Sequence, residues 1–176
     1  MGSESPPAHC EQCAALPVRL SAPTRRHSAS LVTDKPAAVR YLTFEDVEIL
    51  GVELAQELFG HIEPLPKLQM LGGQSGADVL RGILELPGQT VGGTQAYPTI
   101  FDKAAVLLRS VSCDHPFVDG NKRMSLAIAL LFLAVNGWWV TASDAELVEL
   151  AMDVATSRRR ELSDLASWLE NNSLAF

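Results

Sequence analysis

Three cysteines are too few to staple a chain of 176 residues, and at this length none is needed. Cys10 and Cys13 form a lone Cys-x-x-Cys in a polar, Pro-rich segment. A zinc site would need two further ligands, and His9 is the only local candidate, so the pair reads as unstructured and reduced. Long apolar runs are missing too: 126–135 is too short to span a bilayer and fits a buried helix. The first residues lack a basic region followed by an apolar stretch, so no signal peptide is expected and a cytoplasmic protein, off the membrane, is the default. An excess of positive charge is likewise absent. The formal charge is -7, and residues 41–176 hold nine basic against eighteen acidic residues. An acidic body repels phosphate backbones, which excludes general nucleic-acid binding but leaves room for one small basic site. No Gly-Lys-Ser/Thr follows a glycine-rich loop, and the signature set of classical protein kinases is absent.

The residues present support one domain and a tail. Hydrophobic residues make up 47%, enough for a core. Residues 1–38 are rich in Ser, Pro, Ala and Arg without periodicity and read as a disordered tail; 39–176 read as the folded domain. Thr43 can cap a helix carrying Leu42, Val47, Leu50, Leu54 and Leu58 at three- and four-residue intervals, ended by Gly60. Ser75 is placed to cap a short helix through Leu86, stopped by Pro87-Gly88. The span 89–98, with Thr90, Val91, Gly92, Gly93 and Thr94, suits a small hairpin or flap. Thr99 can cap a helix with Ile100, Ala104, Leu107, Leu108 and Val111 apolar. A helix over 121–136, apolar all round and closed by Gly137, should be the central, buried one. Trp138-Trp139-Val140 reads as extended. Ser143 or Asp144 then opens a helix to Thr156, and Ser163 a last one to Asn171. The predicted fold is mostly α: about six helices around a central buried helix, with a small β-hairpin flap.

One stretch carries chemistry: His115-Pro116-Phe117-Val118-Asp119-Gly120-Asn121-Lys122-Arg123. It ends where a helix begins, and a helix N-terminus presents amides and a partial positive charge to phosphate. Gly120 permits a tight turn and close backbone approach. Asn121 suits the cap or first turn. Lys122 and Arg123 add two charges, a mobile ammonium and a bidentate fork. Asp119 is an oxygen ligand for a hard cation, and magnesium is commonly held by one carboxylate together with substrate phosphates. His115 can take a proton from a hydroxyl near neutral pH. Phe117 reads as a hydrophobic anchor. Singly, each residue would pass for a turn, a solvated helix start or a structural histidine. Jointly they describe phosphoryl or nucleotidyl transfer, in which catalysis is mostly positioning and charge stabilisation.

The pattern His115-x-Phe117-x-Asp119-Gly120-Asn121-x-Arg123 resembles the signature of the Fic/Doc superfamily. The run Ala129-Leu130-Leu131-Phe132-Leu133 before Asn136-Gly137 is similar to that family as well, as is the ending with Asp144, Ala151 to Ala155 and Leu165-Ala166-Ser167-Trp168-Leu169. Fic adenylyltransferases carry Gly-Asn-Gly-Arg and a second Arg three residues on; here those positions are Lys122 and Leu126, which resembles the Doc branch of toxins. A lysine fills the room a glycine leaves against the backbone, so the nucleotide should take another pose. The resemblance implies an inverted ATP and transfer of its γ-phosphate to a Ser/Thr hydroxyl of translation elongation factor Tu, blocking translation.

By the same resemblance His115, Lys122 and Arg123 are the catalytic residues, with His115 as general base. Gly120, Asn121, Lys122 and Arg123 hold the nucleotide, Asp119 binds Mg2+, and the 89–98 flap aligns the target by strand pairing. The chain departs from the pattern at Cys113 and Asp114, where such toxins often carry a basic residue, and at the glycine-rich 71–78, where many have Arg-Asp. No inhibitory Ser/Thr-x-x-x-Glu-Gly-Asn motif is visible, so restraint is expected from an antitoxin of Phd type. The alternatives are a Fic-type nucleotidyltransferase, opposed by Lys122 and Leu126, and an inactive binding relative, opposed by an intact His115, Asp119 and Arg123.

Overall fold

The computed structural model describes residues 38–59, 68–156 and 161–176. The tail reading over 1–37, the Cys10/Cys13 pair and Gly60 as a helix stop lie outside these residues.

Local capping chemistry places most helix starts. The Thr43 hydroxyl accepts the Asp46 N–H while the Asp46 carboxylate accepts the Thr43 N–H, a reciprocal box that opens α1 (Phe44–Asp46). The helical path continues through a π stretch (Val47–Gly51) into α2 (Val52–Phe59). The same box recurs with Thr99 and Asp102 at α4 (Ile100–Asp114) and with Ser143 and Glu146 at α6 (Asp144–Ala155). Two expected caps are displaced. α3 (Gln74–Glu85) starts behind Gly73, not Ser75, because Gly72 and Gly73 both take positive φ and close a turn onto the Met70 carbonyl. α7 (Leu162–Asn171) starts behind the extended Glu161, not Ser163, and the Glu161 carbonyl accepts the N–H of Asp164 and Leu165.

α5 (Asn121–Val135) is the central helix, with Met124 through Ala129 and Leu131 through Leu133 buried. A helix buried on nearly every face must be wrapped by others, and α4, α2 and α6 pack around it. β1 (Thr90–Val91) and β2 (Thr94–Gln95) form the expected hairpin. β3 (Trp138–Val140) is extended as read, but its partner β4 (Ser173–Ala175) is a strand that periodicity did not reveal. The architecture is the predicted one: mostly α, a central helix and a small hairpin. No helix among the described residues is long and apolar enough to cross a membrane.

Two sets of polar contacts tie distant segments together. The Asn136 carboxamide accepts the Arg40 N–H at 2.8 Å and donates to the Arg40 carbonyl at 2.9 Å, closing the start of the fold onto the end of α5. Lys103 is only 1% exposed. Its ammonium donates to the Pro87 carbonyl at 2.8 Å, to Gln95 Oε1 at 2.9 Å and to the Tyr97 carbonyl, fastening both ends of the hairpin to α4. Burial lowers the Lys103 pKa and the Asp102 charge partly restores it.

Candidate active site

α4 ends on His115, a residue in the left-handed region at φ 48°. That conformation turns the chain out of α4 and starts the loop that leads to α5. Gly120, at φ 79°, makes the second turn and stands as N-cap, and its carbonyl accepts the Met124 N–H at 2.8 Å. The amides of Asn121, Lys122 and Arg123 therefore form the open end of α5.

The loop is pinned on both edges. On one side Met70 pairs with Phe117 in an antiparallel bridge, with Leu71 N–H donating to Pro116 O at 2.8 Å and Val118 N–H to Gln69 O at 2.9 Å. On the other side the Asn121 carboxamide receives the Phe117 N–H at 3.0 Å and donates to the Phe117 carbonyl at 2.8 Å. Phe117, 1% exposed, is the anchor expected of it. Among the motif residues assigned to phosphate, Asn121 thus has its side chain committed to the loop, leaving its amide for a ligand. Asp119 Oδ1 accepts the Gly120 N–H at 2.6 Å and Oδ2 lies 3.7 Å from Arg123 Nη2. The Asp119 side chain is 67% exposed and that of Arg123 18%. Lys122 is exposed and its ammonium rests 3.8 Å from the Met152 sulfur.

These groups share a cavity of about 400 Å³, lined by His115, 118–123, Phe59 of α2 and the α6 residues Val148, Ala151 and Met152. The structure thus brings together His115, Asp119, Gly120, Asn121, Lys122 and Arg123, the motif residues to which the sequence assigned chemistry. Leu126 is fully buried, so the position three residues after Arg123 gives the cavity no charge. No ion pair joins Asp114 to His115 among the described residues. Among the described residues, Asp119 is the one carboxylate lining the cavity, and no cluster of acidic, His or Cys side chains preassembles a metal site. That donor set fits a magnesium ion held by one carboxylate and by the oxygens of a phosphate substrate.

The hairpin does not border this site. None of 89–98 lines the cavity, and α4, 15 residues long, puts about 22 Å between the hairpin base and His115. The segment running along the motif is 69–71. Sequence reasoning missed it, together with Gly76, where a Cβ would lie 2.4 Å from the Pro116 carbonyl oxygen and 2.6 Å from Leu71 N. A third glycine in 72–76, inside a helix, was the available signal of close backbone approach.

A model of the Fic/DOC family matches residues 41–133, which is more than half of the chain and includes the whole motif. The chain belongs to the Fic/Doc family. Within it, the chain is similar to the curated Toxin Doc of Mycolicibacterium smegmatis, at 42% identity over 84 residues. That match covers 47% of this chain and 65% of the toxin, so the chain spans a little under two thirds of the relative's length.

Proposed function

We propose that this protein is a Doc-like toxin of a toxin–antitoxin module, an enzyme that transfers the γ-phosphate of ATP to a Ser/Thr hydroxyl of a protein, with elongation factor Tu as the candidate target. The observation that carries the reading is the convergence of the His115 imidazole, the Asp119 carboxylate, Lys122, Arg123 and the open end of α5 on one cavity. In this scheme His115 takes the proton of the attacking hydroxyl, whose oxygen bonds to the γ-phosphorus as the bond to the β-phosphate oxygen breaks and ADP leaves. Lys122, Arg123 and the α5 amides offset charge on the equatorial and leaving oxygens. Asp119 would hold Mg2+, which when bound neutralises phosphate charge. Lys122 in place of a glycine, the uncharged Leu126 and the similarity to Toxin Doc favour this over nucleotidyl transfer. The 69–71 edge, beside the motif, is the better placed strand for aligning a target segment. Cytoplasmic action and restraint by an antitoxin of Phd type, partly disordered until it binds, complete the proposal.

The test is incubation with elongation factor Tu and ATP labelled at the α or the γ position. Transfer of γ label alone supports phosphoryl transfer. Transfer of α label replaces it with nucleotidyl transfer, and absence of transfer to any target by either label replaces it with a binding module.

A further inference from the structure

The exposed Lys122 ammonium has a neighbour across the cavity: the sulfur of Met152 in α6, 3.8 Å away. A thioether is a weak acceptor, so this contact holds the ammonium loosely and leaves it able to swing onto an anion. Met152 is 44% exposed. The other described methionines are less accessible. Met124 is 1% exposed and packs beside Gly51 in the core, and Met70 is half-buried in the bridge to Phe117. Met152 is therefore both open to a small oxidant and in contact with a cation assigned to phosphate. A change at its sulfur acts on that contact and spares the core.

We propose that Met152 is a site of reversible oxidation whose sulfoxide captures Lys122 and turns the enzyme down. The inference rests on the phosphate role given to Lys122 above. The oxidant is a hydroperoxide, with hydrogen peroxide the simplest. The Met152 sulfur gives a lone pair to one peroxide oxygen and the O–O bond breaks. The proton carried by the transferred oxygen passes to the departing hydroxide, which leaves as water. Sulfur loses two electrons and the peroxide gains them; sulfoxide reductases return the thioether with electrons from thiols. The sulfoxide oxygen is a full acceptor within hydrogen-bond reach of the ammonium already beside it. A hydrogen bond from a charged donor is stronger than one between neutral groups. The oxidised side chain thus keeps Lys122 against α6, where the thioether lets it go, and the loop meets a phosphate with one cation fewer.

The experiment treats the full chain with dilute hydrogen peroxide, in wild type and Met152→Leu, and compares each protein with its own untreated sample. Peptide mass spectrometry reads the oxygen added to each methionine, acylation reads the reactivity of the Lys122 amine, and calorimetry reads binding of ATP with Mg2+. In wild type, Met152 should oxidise before Met70 and Met124. Acylation of Lys122 should then slow by about threefold or more and ATP should bind about tenfold more weakly, the scale of one hydrogen bond to a charged group. A methionine sulfoxide reductase with a dithiol should restore both, and treated Met152→Leu should keep its untreated values. Oxidation of Met70 or Met124 ahead of Met152 overturns the site. An oxidised Met152 with Lys122 acylated at the untreated rate overturns the capture. An equal fall in ATP affinity in treated Met152→Leu assigns the effect to another residue and overturns the regulation. Untreated protein that binds no ATP removes the phosphate role of Lys122, while the mass spectra and acylation rates still decide the oxidation and the capture.

Discussion

The carboxamide of Asn121 pairs with the main chain of Phe117 as a neighbouring strand would, accepting its N–H at 3.0 Å and donating to its carbonyl at 2.8 Å. With Met70 on the opposite edge, the motif loop is held as the middle strand of a miniature sheet whose third member is a side chain. Asn121→Ala leaves both Phe117 groups without partners and should cost about 1–3 kcal/mol. Asn121→Asp keeps the acceptor and loses the donor, so it should fall between. Denaturant unfolding of the two variants checks the order; equal stability of Asn121→Ala and wild type would refute the clamp.

His115 is exposed and caps α4 in the left-handed region. Replacing it should therefore spare the fold and remove the proposed base. His115→Ala is expected to lower transfer by about 10²–10⁴-fold, the usual contribution of a general base, with thermal unfolding close to wild type. Undiminished transfer would show that another group takes the proton.

Gly76 packs without a side chain against the backbone of Pro116 and Leu71, at hypothetical Cβ distances of 2.4 Å to 2.7 Å. Backbone cannot swing aside as a flexible side chain can, so Gly76→Ala must shift the segment that braces the motif. A destabilisation of about 1–3 kcal/mol is expected, together with reduced transfer. Gly82, with open space around its Cβ, is the control: Gly82→Ala should be neutral or stabilising by thermal unfolding.

Lys103→Met keeps the length of the buried side chain and deletes its donors to Pro87, Gln95 and Tyr97. Relief of a buried charge offsets part of the global cost, but the hairpin loses the tether common to both its ends. Amide exchange over 89–97 should rise by about tenfold or more, at about 1 kcal/mol per lost bond, with α5 amides unchanged. Uniform loss of protection through the core would instead make Lys103 a general packing residue.

Asp46 is held below its ordinary value of 3.8, first by the hydrogen bond from the Thr43 backbone N–H, with the Thr43 hydroxyl and the Arg40 charge adding to it against partial desolvation. A carboxyl depressed in the folded state stabilises the fold above its unfolded pKa, and that contribution is lost as pH falls through the lower folded value. Unfolding free energies measured from about pH 6 down to about pH 2 should decline more steeply in wild type than in Asp46→Asn. Parallel profiles would mean the box is formed in the unfolded chain as well.

Much of this was legible in the sequence because the relevant interactions are short. Thr43, Thr99 and Ser143 each meet an acidic residue three positions on, and the helices start where those pairs sit. Ser75 and Ser163 have hydroxyls too, but glycine geometry at 72–73 and the extended Glu161 set those caps two residues earlier. The hairpin was visible in its glycines, yet its distance from His115 depends on the length and direction of α4, which no turn signal encodes.

The sequence by itself determined the helical class, the buried α5 and the nine-residue loop with its imidazole, carboxylate and cations, since composition, periodicity and adjacent residues specify those. Only the tertiary structure decided that 69–71 and not the hairpin borders the motif, that Asn121 spends its side chain on Phe117, that Gly76 must lack a Cβ, and that α2 and α6 give the cavity an apolar wall. Each of these depends on segments distant in the chain meeting at close range, and packing of the whole core, rather than any local pattern, fixes which surfaces meet.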